Sequence, residues 1–286
     1  MATNALVTVN QKDMQLVEAW LHDKAATTQR AYRRFAWGML TGLGKPIRML
    51  TPMEVKQYSM SLGGEAGKLA YNINALKSLF TYATELGYLP VNLGKLLKPP
   101  KVRNELAKRI LSEAEVIRMI DRETSPRNHA ILHLLYHAGL RVSEIVSLRW
   151  EDVRETGNGA ILDVLGKGEK TRYVPISRSM YDELRELIGF PHSKERYVFL
   201  SRKGRAGTKP MDTRNIERIV LDAATRAGIA GNVSPHWLRH SNATHAVRNG
   251  APLSVVKESL GHASLVTTSR YLHVEPGEGT SQYLKV

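Results

Sequence analysis

The segment from Ser234 to Arg239 combines residue types and spacing that suit the binding of a phosphate group. Ser234 followed by Pro235 predicts a helix start, because a hydroxyl can cap unpaired amides and proline fits the first helical position. His236 and Arg239 lie three residues apart and therefore share one face of that helix. The unpaired amides of a helix N-terminus already favour an anion. We therefore predict an anion site here, and a phosphate fits it.

Two other segments present a basic side chain beside glycine. In the first, Gly139 predicts a turn that leads Arg141 into another helix. An ordinary helix salt bridge between Arg141 and Glu144 would explain the pattern equally well. In the second, two glycines flank Lys167 and predict a hairpin with this lysine at its tip, where an exposed lysine is common. The chain has no Gly-x-x-x-x-Gly-Lys-Ser/Thr pattern, so we predict no nucleotide-binding loop.

Three histidines near the first segment raise the alternative of a metal site. His236 and His240 lie four residues apart, a spacing that places two ligands on one helix face, and His245 follows them. The chain has no cysteine and no His-Glu-x-x-His pattern, and the cationic Arg239 lies between the first two histidines. We therefore predict no metal site and expect His240 to pack or hydrogen-bond within the fold.

Caps and apolar periodicity predict the elements that must position these residues. Capping boxes at Thr51 and Ser112 and the Ser125-Pro126 pair each mark a helix start. Three helices are expected at about 28–40, 180–187 and 212–227. Four others are expected to begin at 52, 113, 126 and 235, and the apolar stripe of a further helix ends at about 86. The strands are expected at 160–165, 171–176 and about 197–200. The pattern predicts a mainly α protein with a small β-sheet.

Composition sets the class of partner. The 286 residues are enough for two compact domains, and the net charge of +14 indicates a polyanion such as nucleic acid. No apolar run is long enough to cross a membrane, and the absence of cysteine excludes disulfides. The first residues lack the basic and apolar regions of a signal peptide, so we expect a cytoplasmic protein.

Positive charge is concentrated in the first third of the chain. Residues 1–104 hold 14 basic and 6 acidic side chains, which gives +8 of the total +14. A solvated helix face would explain any one cluster, but this concentration favours contact with a DNA backbone. A basic segment around Pro99-Pro100 predicts a stiff linker that could cross a duplex, although a plain solvated linker remains the alternative. The candidate DNA contacts are Arg30, Arg33, Arg34, Lys68, Lys77, Lys98, Lys101 and Arg103.

Six residues stand in an order and spacing that resemble the active site of the tyrosine recombinases, the phage integrase family. The motifs are a Gly-Leu-Arg-Val-Ser-Glu turn, a Gly-Lys-Gly hairpin, His-x-x-Arg-His, Leu-Gly-His, and a tyrosine nine residues beyond that last histidine. Any single motif would be weak evidence, but six matching residues in order within five motifs make coincidence improbable. The matching residues are Arg141, Lys167, His236, Arg239, His262 and Tyr271.

The resemblance implies a fold and a domain plan. We expect an α+β protein in which residues 1–98 form a helical core-binding domain of a DNA-binding type. Residues 99–109 would form the basic linker. Residues 110–286 would form the catalytic domain with a short C-terminal tail.

The resemblance also implies a role for each residue. Tyr271 would attack the scissile phosphate to form a 3′-phosphotyrosyl intermediate, between the Arg141 and Arg239 guanidinium groups. A free tyrosine is ionised only to about one part in a thousand at pH 7, so proton transfer needs help. Lys167 would protonate the leaving 5′ oxygen, His236 would assist at the tyrosine, and His262 would hydrogen-bond the phosphate. Glu144 would orient the first arginine without reacting.

The expected partner is double-stranded DNA, bound by a homo-tetramer on two sites, with a monomer or dimer possible off DNA. No cofactor is expected, because the phosphotyrosyl bond conserves the energy of the broken phosphodiester. The sequence leaves two alternatives open. A type IB topoisomerase would use similar residues to relax supercoils, and a non-catalytic protein could use the same scaffold only to bind a DNA sequence.

Overall fold

The computed structural model describes residues 10–102, 109–166, 170–187, 196–201 and 209–261. Its contacts divide the chain into two compact units, Met1–Asn104 and Glu105–Val286. Each unit has its own buried apolar core. None of the helices in the described ranges has both the length and the apolar character that a membrane span needs.

Four α-helices form the described part of the first unit. They are α1 (Gln11–Leu21), α2 (Ala26–Leu43), α3 (Pro52–Ser61) and α4 (Ala66–Glu85), with 3₁₀ turns at Ile47–Met49 and Leu93–Leu96. The predicted capping box is present, because the Thr51 hydroxyl accepts from the Glu54 amide while the Glu54 carboxylate accepts from the Thr51 amide. The predicted helical bundle is confirmed.

A buried carboxylate joins three segments of this bundle. Asp13 on α1 is 1% exposed and accepts hydrogen bonds from the Ile47 amide at 3.0 Å and the Tyr88 hydroxyl at 2.7 Å. The hydroxyl end of Tyr88 is thereby fixed, and desolvation together with the nearby Asp13 raises its pKa to about 12. Trp20 stacks on Tyr32 with ring centroids 5.1 Å apart, which packs α1 against α2.

The described part of the second unit contains seven α-helices and one antiparallel sheet. The helices are α5 (Glu113–Asp121), α6 (Pro126–Tyr136), α7 (Val142–Ser147), α8 (Arg178–Glu186), α9 (Thr213–Arg226), α10 (Pro235–Arg248) and α11 (Leu253–Leu260). The strands are β1 (Val153–Thr156), β2 (Gly159–Leu165) and β3 (Thr171–Ser177), in the order β1-β2-β3. A 3₁₀ turn at Trp150–Asp152 precedes β1. The predicted fold class, mainly α with a small sheet, is confirmed.

Two local predictions differ from the structure, and one strand was not predicted. β1 was not predicted, because its two central residues, Arg154 and Glu155, are exposed and give no alternating apolar pattern. The expected strand near 197–200 is wrong for the described residues. Tyr197 and Leu200 instead form isolated bridges to different segments, so no ladder develops. Ser234 precedes α10 as expected, but its side chain makes no capping hydrogen bond.

Candidate active site

The turn that follows α6 requires glycine. Gly139 has φ +59°, and a Cβ atom there would lie 2.8 Å from Leu260 Cδ2 and 2.9 Å from Asn242 Oδ1. This close approach brings the end of α6 against α10 and the end of α11. Arg141, two residues later, is therefore carried to the place where these three helices meet.

Arg141 begins α7 and is held at both ends. Its amide donates to Glu144 Oε2 at 2.7 Å, and its Nη1 donates to Glu144 Oε1 at 2.8 Å. Its Nη2 donates to the Gly261 carbonyl at 3.1 Å. The side chain remains 33% exposed, so the guanidinium group can still meet a ligand from solvent. The salt bridge between Arg141 and Glu144 that the spacing allowed is therefore present, and it positions the arginine side chain.

A second arginine, Arg172 on β3, also binds Glu144. Its Nη1 and Nη2 donate to Oε1 and Oε2 of Glu144, both at 2.7 Å, and its Nε donates to the Ser259 carbonyl at 2.8 Å. Burial raises the pKa of Glu144, but hydrogen bonds from Arg172 and from the Arg141 amide outweigh it and lower the pKa to about 2. Glu144 is therefore anionic at neutral pH although only 5% of its side chain is exposed.

Sequence reasoning missed Arg172. A usable signal exists, since Arg172 lies on the same strand face as the buried Val174 and Ile176. A charged residue on the apolar face of a strand requires a buried partner. Glu144, 28 residues earlier in the chain, is that partner.

Arg239 is the most deeply buried of the described basic residues of the site, at 4% exposure. It lies in the first turns of α10 and donates to the carbonyl oxygens of Gly139 and Leu260. Arg141 binds the next carbonyl, that of Gly261. Two guanidinium groups from separate helices therefore converge on adjacent carbonyls at the end of α11.

His236 lies one turn before Arg239 and reaches solvent. Desolvation lowers the pKa of the His236 imidazole, and the positive charges of Arg239 and Arg141 lower it further, so the neutral form predominates near pH 7. Burial likewise lowers the pKa of His240 to about 4, with help from His236 and Arg239. A neutral His236 can accept a proton.

The structure does not gather the three histidines of the metal alternative. His236 and His240 have ring centroids 6.3 Å apart, whereas His245 is 3% exposed and its Nδ1 lies 2.8 Å from the Tyr136 hydroxyl. The one group of described residues that could hold a metal ion contains none of them.

Four predicted site residues lie outside the described residues, namely Arg103, Lys167, His262 and Tyr271. Lys167 belongs to the connection between β2 and β3, where the Gly166 amide donates to the Lys170 carbonyl at 2.9 Å. His262 directly follows Gly261 in the chain. Of the predicted catalytic set, the structure therefore brings together Arg141, Arg239 and His236, with Glu144 behind them.

The basic residues of the first unit differ in their surroundings. Arg33 forms a two-point ion pair with Glu18 at 2.8 and 2.7 Å, and Lys77 donates to the Leu97 carbonyl at 3.2 Å. The other described candidates are exposed, namely Arg30, Arg34, Lys68, Lys98 and Lys101. Their side chains reach solvent without rearrangement.

The sequence profile of the phage integrase family matches residues 102–278, more than half of the chain. A tyrosine recombinase of Thermosipho africanus is 32% identical over 262 residues, which cover 88% of this chain and 90% of that protein. This chain belongs to the phage integrase family. Tyrosine recombinase XerD of Neisseria meningitidis serogroup B is another similar member of the family, 33% identical over 278 residues and covering 92% of each chain.

Solved structures agree with this assignment. The XerA recombinase is 29% identical, with a TM-score of 0.50 and coverage of 92% of this chain and 94% of the other. A lambda integrase fragment, solved as a dimer bound to a COC′ core site, has a TM-score of 0.74 at 17% identity, covering 94% and 97%. At that identity the likeness shows a shared fold.

As a tyrosine recombinase of the phage integrase family, the chain is an enzyme of site-specific recombination that cleaves and rejoins DNA. The resemblance drawn from its six motif residues is confirmed at the level of the family. The topoisomerase and non-catalytic alternatives are not favoured.

Proposed function

We propose that this recombinase cleaves DNA through Tyr271 and holds the scissile phosphate between Arg141 and Arg239. The observation that carries the proposal is the convergence of the two guanidinium groups on the Leu260 and Gly261 carbonyls. His262, the third expected phosphate ligand, is the next residue in the chain after Gly261. A planar guanidinium group stays charged and binds phosphate through two parallel hydrogen bonds.

The first chemical step is a transesterification. The Tyr271 oxygen forms a bond to phosphorus, and the bond from phosphorus to the 5′ oxygen breaks, which leaves a 3′-phosphotyrosyl link and a free 5′ hydroxyl. His236, neutral near pH 7, accepts the tyrosine proton, and Lys167 supplies a proton to the leaving 5′ oxygen. His262 donates a hydrogen bond to a non-bridging oxygen. Glu144 holds Arg141 in place and takes no proton.

Strand exchange reverses the cleavage step, but with the 5′ end of a different DNA strand. The 5′ hydroxyl of a second strand attacks the phosphotyrosyl phosphorus and releases Tyr271. Because one phosphodiester is exchanged for a phosphotyrosyl ester of similar energy, neither ATP nor a metal ion is needed for this chemistry.

We extend the proposal to the whole chain. Residues 1–98 form the DNA core-binding domain, 99–109 the basic linker, and 110–286 the catalytic domain. The concentration of positive charge in the first unit supports its contact with a DNA backbone. Four copies act on two sites in a synaptic tetramer, and a cytoplasmic location follows from the DNA substrate. Limited trypsin digestion tests the plan, with first cuts expected among Lys101, Arg103 and Lys108.

Covalent trapping tests the chemistry. The protein is incubated, with EDTA, with DNA from its own genomic neighbourhood that is nicked near the presumed cleavage point. We expect a protein–DNA adduct that Tyr271→Phe abolishes and that the matched control Tyr173→Phe, at an exposed tyrosine of β3, retains.

Two other outcomes would redirect the proposal. Salt-sensitive binding at several candidate sites without any adduct would support a non-catalytic DNA-binding protein. An adduct accompanied by relaxation of single plasmids, without recombinant products, would support a topoisomerase.

A further inference from the structure

Two histidines and a glutamate, to which the proposed mechanism assigns no role, meet between α6 and α8. His129 and His133 lie four residues apart on α6 and therefore share one face of that helix. Glu183 on α8 faces both of them, with Oε1 2.5 Å from His129 Nδ1 and Oε2 2.7 Å from His133 Nδ1. One donor atom from each of the three side chains lies within 4.8 Å of the other two.

We propose that His129, His133 and Glu183 bind a divalent first-row transition metal ion such as Zn²⁺. Two imidazoles and one carboxylate are a frequent ligand set for zinc, in which a fourth position is left to water. Imidazole nitrogen selects against Mg²⁺ and Ca²⁺, which take oxygen ligands. The inference rests on this cluster alone and is independent of the proposed roles of Tyr271 and Lys167.

The surroundings suit an exchangeable ion. The three side chains are 29%, 25% and 16% exposed, so they are sheltered but reachable from solvent. A cavity of about 200 Å³ borders the cluster, lined among others by His133, His137, Ser177 and Ser179. The cavity can hold the water molecule that completes a four-coordinate ion.

The Glu183 carboxylate is oriented for this role, because each of its two oxygens faces one imidazole nitrogen. Metal bonds of about 2.1 Å place ligand atoms about 3.4 Å apart around a tetrahedral ion. The nitrogen–oxygen distances are now 2.5 and 2.7 Å, so binding requires each imidazole and the carboxylate to separate by roughly 0.7–0.9 Å, which rotation of side chains on two different helices can provide.

The expected consequence is a link between helices. α6 leads through the Gly139 turn to Arg141, and α8 follows β3, which carries Arg172. An ion bound by both helices would stabilise the packing of α6 against α8. The ion takes no part in strand transfer.

The test uses full-length protein without a histidine tag, stripped with EDTA and dialysed. Co²⁺ absorption and Zn²⁺ titration calorimetry should give one ion per chain. His133→Asn and Glu183→Gln should each weaken binding by at least about tenfold. The control His22→Asn, at an exposed histidine of the first unit, should bind like the wild type.

A gain-of-signal variant guards against loss of binding by misfolding. Because the chain has no cysteine, His133→Cys introduces its only thiol. We expect that variant to show a thiolate-to-cobalt absorption band that His22→Cys lacks. Absence of binding by the wild type would overturn the proposal. So would binding that survives in His129→Asn/His133→Asn, or binding that is lost in His240→Asn, which would assign the ion to the His236 and His240 pair.

Discussion

Arg172 and Glu144 form a buried two-point ion pair directly behind Arg141. Both nitrogen–oxygen distances are 2.7 Å, and the two side chains are 10% and 5% exposed. Arg172 also donates to the Ser259 carbonyl, two residues before the carbonyl that Arg141 binds. Arg172 therefore links Glu144 on α7 to the end of α11.

Arg172→Ala should destabilise the second unit and abolish cleavage. The substitution leaves a buried carboxylate without its main partner, which costs about 3–5 kcal/mol. Arg154→Ala is the matched control, because Arg154 also lies on the sheet and pairs with a carboxylate, Asp163, but is 52% exposed. Pulse proteolysis in urea measures the change in the free energy of unfolding. Mass spectrometry of peptides from residues 109–261 restricts the measurement to the second unit. Equal stability of the two variants would show that the buried Arg172–Glu144 pair stabilises the fold no more than the exposed Arg154–Asp163 pair does.

Glu144→Gln should change the acid sensitivity of the second unit. Because the folded pKa of Glu144 is lowered to about 2 from 4.5, its stabilising effect is complete above the unfolded pKa and is lost as the pH falls toward 2. The stability gap between wild type and Glu144→Gln should therefore be largest near pH 5–7. It should narrow by about 1.4 kcal/mol per pH unit between pH 4 and 3. The same proteolysis measurement at several pH values checks this, and a constant gap over that range would contradict it.

Arg239→Lys should slow cleavage by about 10²–10³-fold while the chain stays folded. Lysine keeps the charge but cannot donate to the Gly139 and Leu260 carbonyls at once and also present a planar fork to a phosphate. Single-turnover formation of the covalent adduct is the measurement. Arg248→Lys, at the exposed end of the same helix, should cleave at the wild-type rate. A similar rate for both variants would place the phosphate elsewhere.

Arg30→Ala/Arg34→Ala should weaken DNA binding and its dependence on salt. Each phosphate contact contributes about 0.9 to the slope of log K against log salt, so the slope should fall by about 2. Arg33→Ala should change the slope less, because the Arg33 guanidinium is already paired with Glu18. Binding to a duplex measured from low to moderate salt distinguishes them. If Arg33→Ala lowers the slope as much as one exposed arginine does, the ion pair with Glu18 must open on DNA.

Local sequence signals were sufficient for most helices and for the hairpin. The capping boxes at Thr51 and Ser112 depend on residues three positions apart, and the structure contains both. Periodicity placed the apolar stripe of α4, where Ile73, Leu76 and Phe80 are buried. Local signals did not predict β1, because this short, exposed edge strand is defined by its pairing with β2.

The sequence by itself determined the residue types of the site, their order and the family to which they belong. Only the tertiary structure decided which groups meet. Arg172 reaches Glu144 across 28 positions, Arg239 reaches Gly139 across 100, and Glu183 reaches His133 across 50. Helix capping and periodicity report on neighbours within about four residues, whereas these contacts depend on how whole helices and strands pack. A buried charge reveals that it needs a partner, but the packed core selects that partner.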